Sequence, residues 1–165
     1  RVFNEHQEGL QLSYDAFDAS VIFYYKEQWN LAILLSVIAM ESMISYLVFN
    51  SPLKDLIMKI RKCRNEQELR KKFKNALSLV KKVSQFLSPL LKELNYNDLI
   101  NELRTIMKDL NNTYNLRSMI LHEGYKSCKE EAEKALNVAS EFIKLAVTVF
   151  DRFNATEINS VPATV

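Results

Sequence analysis

Apolar residues recur every third or fourth position along most of this chain, which is the spacing of one face of an α-helix. No segment shows a convincing strand-like alternation of apolar and polar residues. Ser51-Pro52 and Ser88-Pro89 each place a capping residue before a first-turn proline. Asn65 and Ser127 are each followed three residues later by a glutamate, which is the spacing of a capping box. The pattern predicts about six helices, with a short turn over 89–94, at residues 5–26, 30–49, 53–63, 66–87, 97–122 and 128–153.

These helices predict a single all-α domain, an antiparallel helical bundle of about five to six helices. The chain has 165 residues, a typical size for one domain, and its two glycines and three prolines leave room for long helices. We assign residues 1–153 to the domain and residues 154–165 to a flexible C-terminal tail. The sequence opens at Arg1 rather than at a methionine, so it could be a piece of a longer protein.

The most apolar stretch, residues 31–49, is about as long as a membrane span. Glu41 lies near its centre, and a carboxylate in the middle of a bilayer is costly. We therefore interpret this stretch as a central core helix and expect no membrane partner. Cys63 and Cys128 are far apart and form no C-x-x-C pair, which indicates free thiols in a reducing, cytoplasmic compartment.

The formal net charge is only +2, so the overall charge gives no argument for nucleic-acid binding. Positive charge is nevertheless concentrated in residues 59–82, where ten Lys and Arg face two Glu, a surplus of eight. Such a surface could follow a phosphate backbone, although a solvated helix face is the simpler interpretation. The aromatic run 23–25 and Trp29 are interpreted first as packing residues and second as surfaces for stacking RNA bases. The candidate RNA-binding residues in the basic segment are Arg70, Lys71, Lys72 and Lys74.

The strongest candidate for chemistry is an arginine that precedes a histidine by five residues, Arg117 and His122, near a helix end marked by Gly124. Arginine holds a phosphate by forked hydrogen bonds, and histidine can move a proton near neutral pH. The pair could cleave a phosphodiester without a metal or cofactor, and the sequence contains no metal-ligand cluster. The structural alternative is that His122 only ends a helix and Arg117 only anchors a buried ion pair.

The position of Arg117 on its helix predicts a specific contact. The apolar stripe of the helix at 97–122 leads to position 117, where a bundle would normally place an aliphatic residue. A buried guanidinium without a partner is costly. We therefore predict that Arg117 contacts Glu41, the one charged residue inside the most apolar helix.

At these residues the chain resembles the HEPN superfamily of all-helical domains, whose signature is an arginine, four to six residues, and then a histidine. The matching residues are Arg117, Ser118 and His122, where Ser118 replaces the asparagine that usually follows the arginine. Residues 12–42 are similar to the paired first helices of such domains, and residues 130–146 resemble their closing helix.

The resemblance implies a metal-independent endoribonuclease that works as a homodimer with two motifs facing one cleft. It implies attack by a ribose 2′-hydroxyl, with His122 as general base or acid and Arg117 on the phosphate. Five residues turn a helix through 500°, which leaves these two side chains about 140° apart, and a dimer eases that separation. The implied partners are RNA, a second copy, and an antitoxin or further domains, in defence or RNA processing. The alternative is a non-catalytic module for RNA binding or dimerisation. Supporting roles would fall to Ser118, Asn115, Tyr114 and Glu41.

Overall fold

The computed structural model describes the backbone of residues 2–160 and the side chains of residues 9–157. Within that range all regular secondary structure is helical, which confirms the predicted all-α bundle. The helices are α1 (Val2–Tyr25), α2 (Trp29–Phe49), α3 (Lys54–Ile60), α4 (Glu66–Asn75), α5 (Leu79–Lys82, continued by a π-helical turn over Val83–Leu87), α6 (Ser88–Glu93), α7 (Asn97–Glu123) and α8 (Lys129–Ser160).

The apolar helix α2 forms the centre of the bundle and packs against α1, α7 and α8. Its inner side is fully buried at Ile33, Met40 and Leu47. By length and composition α2 could cross a membrane, and 56% of its most apolar stretch is buried inside the bundle. This packing agrees with the prediction of a central core helix.

The single helix predicted over 66–87 is broken in two. Asn65 caps α4 by accepting a hydrogen bond from the Glu68 N–H at 2.9 Å. α4 then ends at Asn75, and Ser78 caps α5 by accepting from the Lys81 N–H at 3.2 Å. A serine cap satisfies backbone donors that a continuous helix would pair internally, so the chain can start a new helix there.

A second irregularity follows from a proline that lies inside the helical path. Pro89 has no N–H to donate, so the helix cannot keep its usual bonding pattern at this point. The preceding turn is π-helical, and the Ser88 N–H bonds to the Val83 carbonyl. The predicted turn over 89–94 is therefore a helix, α6, that continues directly from this widened turn.

The last predicted helix, 128–153, ends several residues too early. α8 does not end at residue 153 but runs to Ser160, so residues 154–160 are helical. Phe153 still packs against the main core, which carries the helix past the predicted end. The rest of the predicted tail, residues 161–165, lies outside the described residues.

A two-fold hydrogen-bonded ion pair joins the start of α7 to the later part of α8. Arg152 donates to both carboxylate oxygens of Asp98, at 2.8 and 2.5 Å. These bonds lower the pKa of Asp98 from 3.8 to about 2. The same guanidinium lies over the Tyr96 ring, 5.4 Å from its centroid.

Candidate functional site

The helix that carries the arginine and histidine remains regular to its last residue. α7 is α-helical through Glu123 and ends at Gly124, whose φ of 65° is the left-handed conformation that glycine adopts without strain. The Gly124 and Tyr125 N–H groups both bond to the Met119 carbonyl and close the helix. Because the helix does not loosen, Arg117 and His122 leave it about 140° apart.

The candidate residues therefore divide between two faces of α7. Asn115, Ser118 and His122 lie along one face, since their spacing of three and four residues is that of neighbours on a helix. Arg117 lies toward the other face, with Tyr114 between the two groups, since Tyr114 is three residues from Arg117 and four from Ser118. The Ser118 hydroxyl donates to the Tyr114 carbonyl at 3.5 Å, the backbone contact of a helical serine. Asn115 is exposed and also lines a cleft of about 310 Å³ between α7 and α8.

His122 is exposed and Arg117 is only partly buried, so neither side chain is sealed inside the bundle. The expectation that Arg117 occupies the buried seam is wrong. Beyond Leu110 the buried side of α7 passes through Thr113 and then Leu116, away from position 117. The physical reason is a change of neighbours, because this end of α7 packs against the starts of α2 and α8.

The predicted contact between Glu41 and Arg117 is also wrong. No ion pair joins these two side chains in the part of the chain that the structure describes. The Arg117 guanidinium instead lies over the Tyr114 ring, 5.6 Å from its centroid. A guanidinium at the solvent edge stays hydrated and stacks on an aromatic face, so it needs no buried carboxylate.

One hydrogen bond joins this arginine-bearing face of α7 to the basic segment. The Tyr114 hydroxyl donates to the Leu77 carbonyl at 3.1 Å. Leu77 lies in the loop between α4 and α5, where its side chain is 76% exposed. The loop lies between Lys74 and Lys81, so positively charged residues lie on both sides of the loop segment that contacts Tyr114.

The four predicted RNA-binding residues differ in what they contact. Arg70 forms an ion pair with Glu66 at 2.6 Å and lies over the Phe49 ring. Lys72 donates to the Arg61 carbonyl at 2.5 Å. Both are thus engaged within the fold. Lys71 and Lys74 are exposed and form no ion pair among residues 9–157, so these two are the side chains free to meet phosphate.

The sequence did not indicate that α2 has an open apolar face. Leu31, Leu34, Leu35 and Ile38 follow helical spacing on one side, and Leu31 and Ile38 are each 40% exposed. α7 packs next to the first turns of this helix. A helix that is apolar all round predicts full burial, so its composition could not show which side stays uncovered.

Asn30 is a second feature that the sequence did not indicate. Its amide donates to the Tyr125 carbonyl at 2.9 Å, and its side-chain oxygen accepts from the Ser127 N–H at 2.9 Å and from the Ser127 hydroxyl. Tyr125 also donates its hydroxyl to Glu131 at 2.9 Å, a bond that raises the pKa of Tyr125. The loop that follows His122 is therefore held to the first turn of α2.

Compared with known proteins, the chain matches no family model, no curated protein and no solved structure. Among the residues that the structure describes, no group of three or more His, Cys, Asp or Glu is placed to hold a metal ion. The argument for function therefore depends on the geometry of α7 and the surfaces beside it.

Proposed function

We propose that the protein is a HEPN-like, metal-independent endoribonuclease that acts as a homodimer. The observation that carries the proposal is the arrangement of α7. Arg117 and His122 both reach solvent on separate faces of this helix, and the hydrogen bond from Tyr114 to Leu77 connects the arginine face to the basic segment. RNA processing and defence against foreign genetic elements are the roles that such an activity would serve, under control of an antitoxin or of further domains.

In the proposed reaction the ribose 2′-hydroxyl attacks the adjacent phosphorus. His122 takes the proton of that hydroxyl as the new bond to phosphorus forms. The bond from phosphorus to the 5′ oxygen breaks, and the protonated His122 of the second copy returns a proton to the leaving oxygen. Arg117 holds the non-bridging oxygens and stabilises the charge that develops on them. The products carry a 2′,3′-cyclic phosphate and a 5′-hydroxyl.

The need for a second copy follows from two features. The first is the separation of about 140° between Arg117 and His122 on one regular helix, which directs them to different neighbours. The second is the open apolar face of α2 around Ile38, which is 40% exposed; the first turns of the same helix pack against α7. Apolar side chains gathered on one exposed face favour association. A dimer that covers this face would bring two copies of α7 close to one groove.

The test is incubation of purified protein with end-labelled RNA in a chelator, with product ends identified by phosphatase and kinase treatment. We expect cleavage to cyclic phosphates, loss of cleavage in Arg117→Ala and His122→Ala, and no cleavage of DNA. Arg104→Ala, an exposed arginine earlier on α7, and His6→Ala are the matched controls. Loss of cleavage in the controls as well, or cleavage that survives both motif substitutions, would refute the proposed site.

A second candidate is a HEPN-like module that binds RNA or dimerises without cleaving. The separation of the two side chains on a regular helix favours it, as does Ser118 in place of the usual asparagine. This candidate predicts RNA binding in the same experiment without any cyclic-phosphate product.

A further inference from the structure

A small cleft lies where the turn between α1 and α2 meets the loop between α7 and α8. Its volume is about 240 Å³, below the roughly 300–1,000 Å³ of pockets for drug-sized ligands. Such a cleft suits one flat ring system better than a whole cofactor. The residues that line it are Gln28, Trp29, Asn30, Leu31, Lys126 and Ser127.

Aromatic side chains continue outward from this cleft. Trp29 packs against Tyr24, with ring centroids 5.4 Å apart, and Tyr24 meets Tyr25 edge-on at 5.6 Å. Tyr25 is 80% exposed, so packing within the fold accounts for Trp29 and Tyr24 but not for Tyr25. Trp29 lines the cleft and Tyr25 lies two ring contacts outward from it, so this end of the bundle offers one ring in the cleft and one exposed ring on which unpaired bases can stack.

The polar groups of the cleft suit a nucleotide. Within the described residues, the exposed side-chain amide of Gln28 and the exposed Lys126 ammonium have no hydrogen-bond partner. An amide can pair with the edge of a base, and a lysine can meet its phosphate. Asn30 is already occupied by Tyr125 and Ser127, so it shapes the cleft and does not bind.

The cleft is close to the proposed catalytic histidine. Lys126 follows His122 by four residues, which span at most about 14 Å of extended chain. The hydrogen bonds between Asn30 and Ser127 hold this loop against the wall that Trp29 provides. The Cα atoms of Lys126 and His122 are therefore at most about 14 Å apart, which places the cleft within a few nucleotides of a phosphate at His122.

We propose that this cleft is a subsite for one unpaired base and that the adjoining base stacks on Tyr25, so that the substrate is single-stranded at the cleavage position. The inference rests on the proposed function for its role in cleavage, but binding at the cleft can be measured separately. Glu27 and Glu123 balance Lys26 and Lys126 at this end of the bundle, so stacking rather than net charge selects the ligand.

Trp29 is the single tryptophan of the chain, so its fluorescence reports on this cleft alone. In a His122→Ala background that leaves RNA intact, a dinucleotide too short to reach the basic segment should quench Trp29. Tyr25→Ala should weaken quenching about tenfold, the size expected for a lost base stack, and Lys126→Gln should weaken it less, through loss of one phosphate contact. Leu12→Ala and Lys92→Gln, two exposed residues elsewhere, should leave quenching unchanged.

Three results would overturn the subsite: no quenching by dinucleotides, quenching that neither cleft variant weakens, or equal quenching by blunt duplex RNA. Quenching that persists in 0.5 M salt would support it, because stacking is less sensitive to screening than phosphate contacts. Quenching without any RNA cleavage by the unmutated protein would support the subsite and refute the proposed ribonuclease activity. Cleavage without quenching would remove the subsite alone.

Discussion

The link between α7 and the basic segment can be tested by removing a single oxygen atom. Tyr114→Phe deletes the hydroxyl that donates to the Leu77 carbonyl at 3.1 Å and keeps the ring under Arg117. Mutational series show that one hydrogen bond contributes a net stabilisation of about 0.5–1.5 kcal/mol. Leu77 is exposed, so water replaces the lost donor and the lower half of that range applies.

We therefore expect Tyr114→Phe to lower the free energy of unfolding by about 0.5–1 kcal/mol, which is roughly a two- to fivefold change in the unfolding equilibrium. For a chain of this length that corresponds to a fall in Tm of about 1–4 °C. Urea unfolding followed by circular dichroism would measure the first value, and a thermal melt the second. Hydrogen exchange should rise locally in residues 76–78.

Tyr96→Phe is the matched control, because the Tyr96 hydroxyl has no hydrogen-bond partner among the described residues and its ring also lies under an arginine. It should change stability by only a few tenths of a kcal/mol at most. Equal stability of Tyr114→Phe and Tyr96→Phe, with unchanged exchange in residues 76–78, would contradict the proposed link. The basic segment would then be attached to α7 by apolar packing alone.

Three further predictions concern the dimer, the surface charge and the pH dependence. Ile38→Glu puts a charge on the open face of α2 and should convert a dimer to a monomer in sedimentation analysis; an unchanged dimer would place the interface elsewhere. Lys71→Gln and Lys74→Gln should each weaken RNA binding. Each should also reduce the slope of log binding constant against log salt concentration by about 0.7, measured by titration at several salt concentrations. The stabilisation by Asp98 is complete above its unfolded pKa of 3.8 and is lost as the pH falls through about 2, since its folded pKa is lowered. The Tm of Asp98→Asn should therefore lie below that of wild type at pH 5 and approach it as the pH falls below about 2, and a constant difference would exclude the pair with Arg152.

The helices themselves were largely predictable from local signals. The predicted helix 97–122 matches α7 within one residue, and the expected cap at Asn65 forms as the sequence indicated. The break at 76–78 was missed because Ala76 and Leu77 are not helix-terminating residues. Ser78 starts the next helix by accepting a hydrogen bond from the Lys81 N–H, which the sequence alone does not show. Local patterns decide where a helix starts, but weak signals inside a long polar stretch do not separate one helix from two.

The arrangement of the candidate site was much less predictable. The buried side of α7 shifts around the helix where its packing partner changes. The apolar periodicity of one helix does not show which other helix packs against it. The bonds that shape the site join distant residues: Asn30 and Ser127 are 97 positions apart, and Leu77 and Tyr114 are 37 apart. Such pairs leave no trace in a single sequence, which is why Glu41 was a reasonable but wrong partner for Arg117.

The straightness of α7 has a consequence for how the protein would respond to its own abundance. Because α7 is a regular helix, Arg117 and His122 stay about 140° apart, and each side chain is open to a different neighbouring molecule. In the proposed reaction one RNA contacts both groups from two chains, and the number of such shared sites would rise with the square of the chain concentration while dimers are scarce. The proposed cleavage activity would then be very low at low protein concentration and would rise steeply as expression increases.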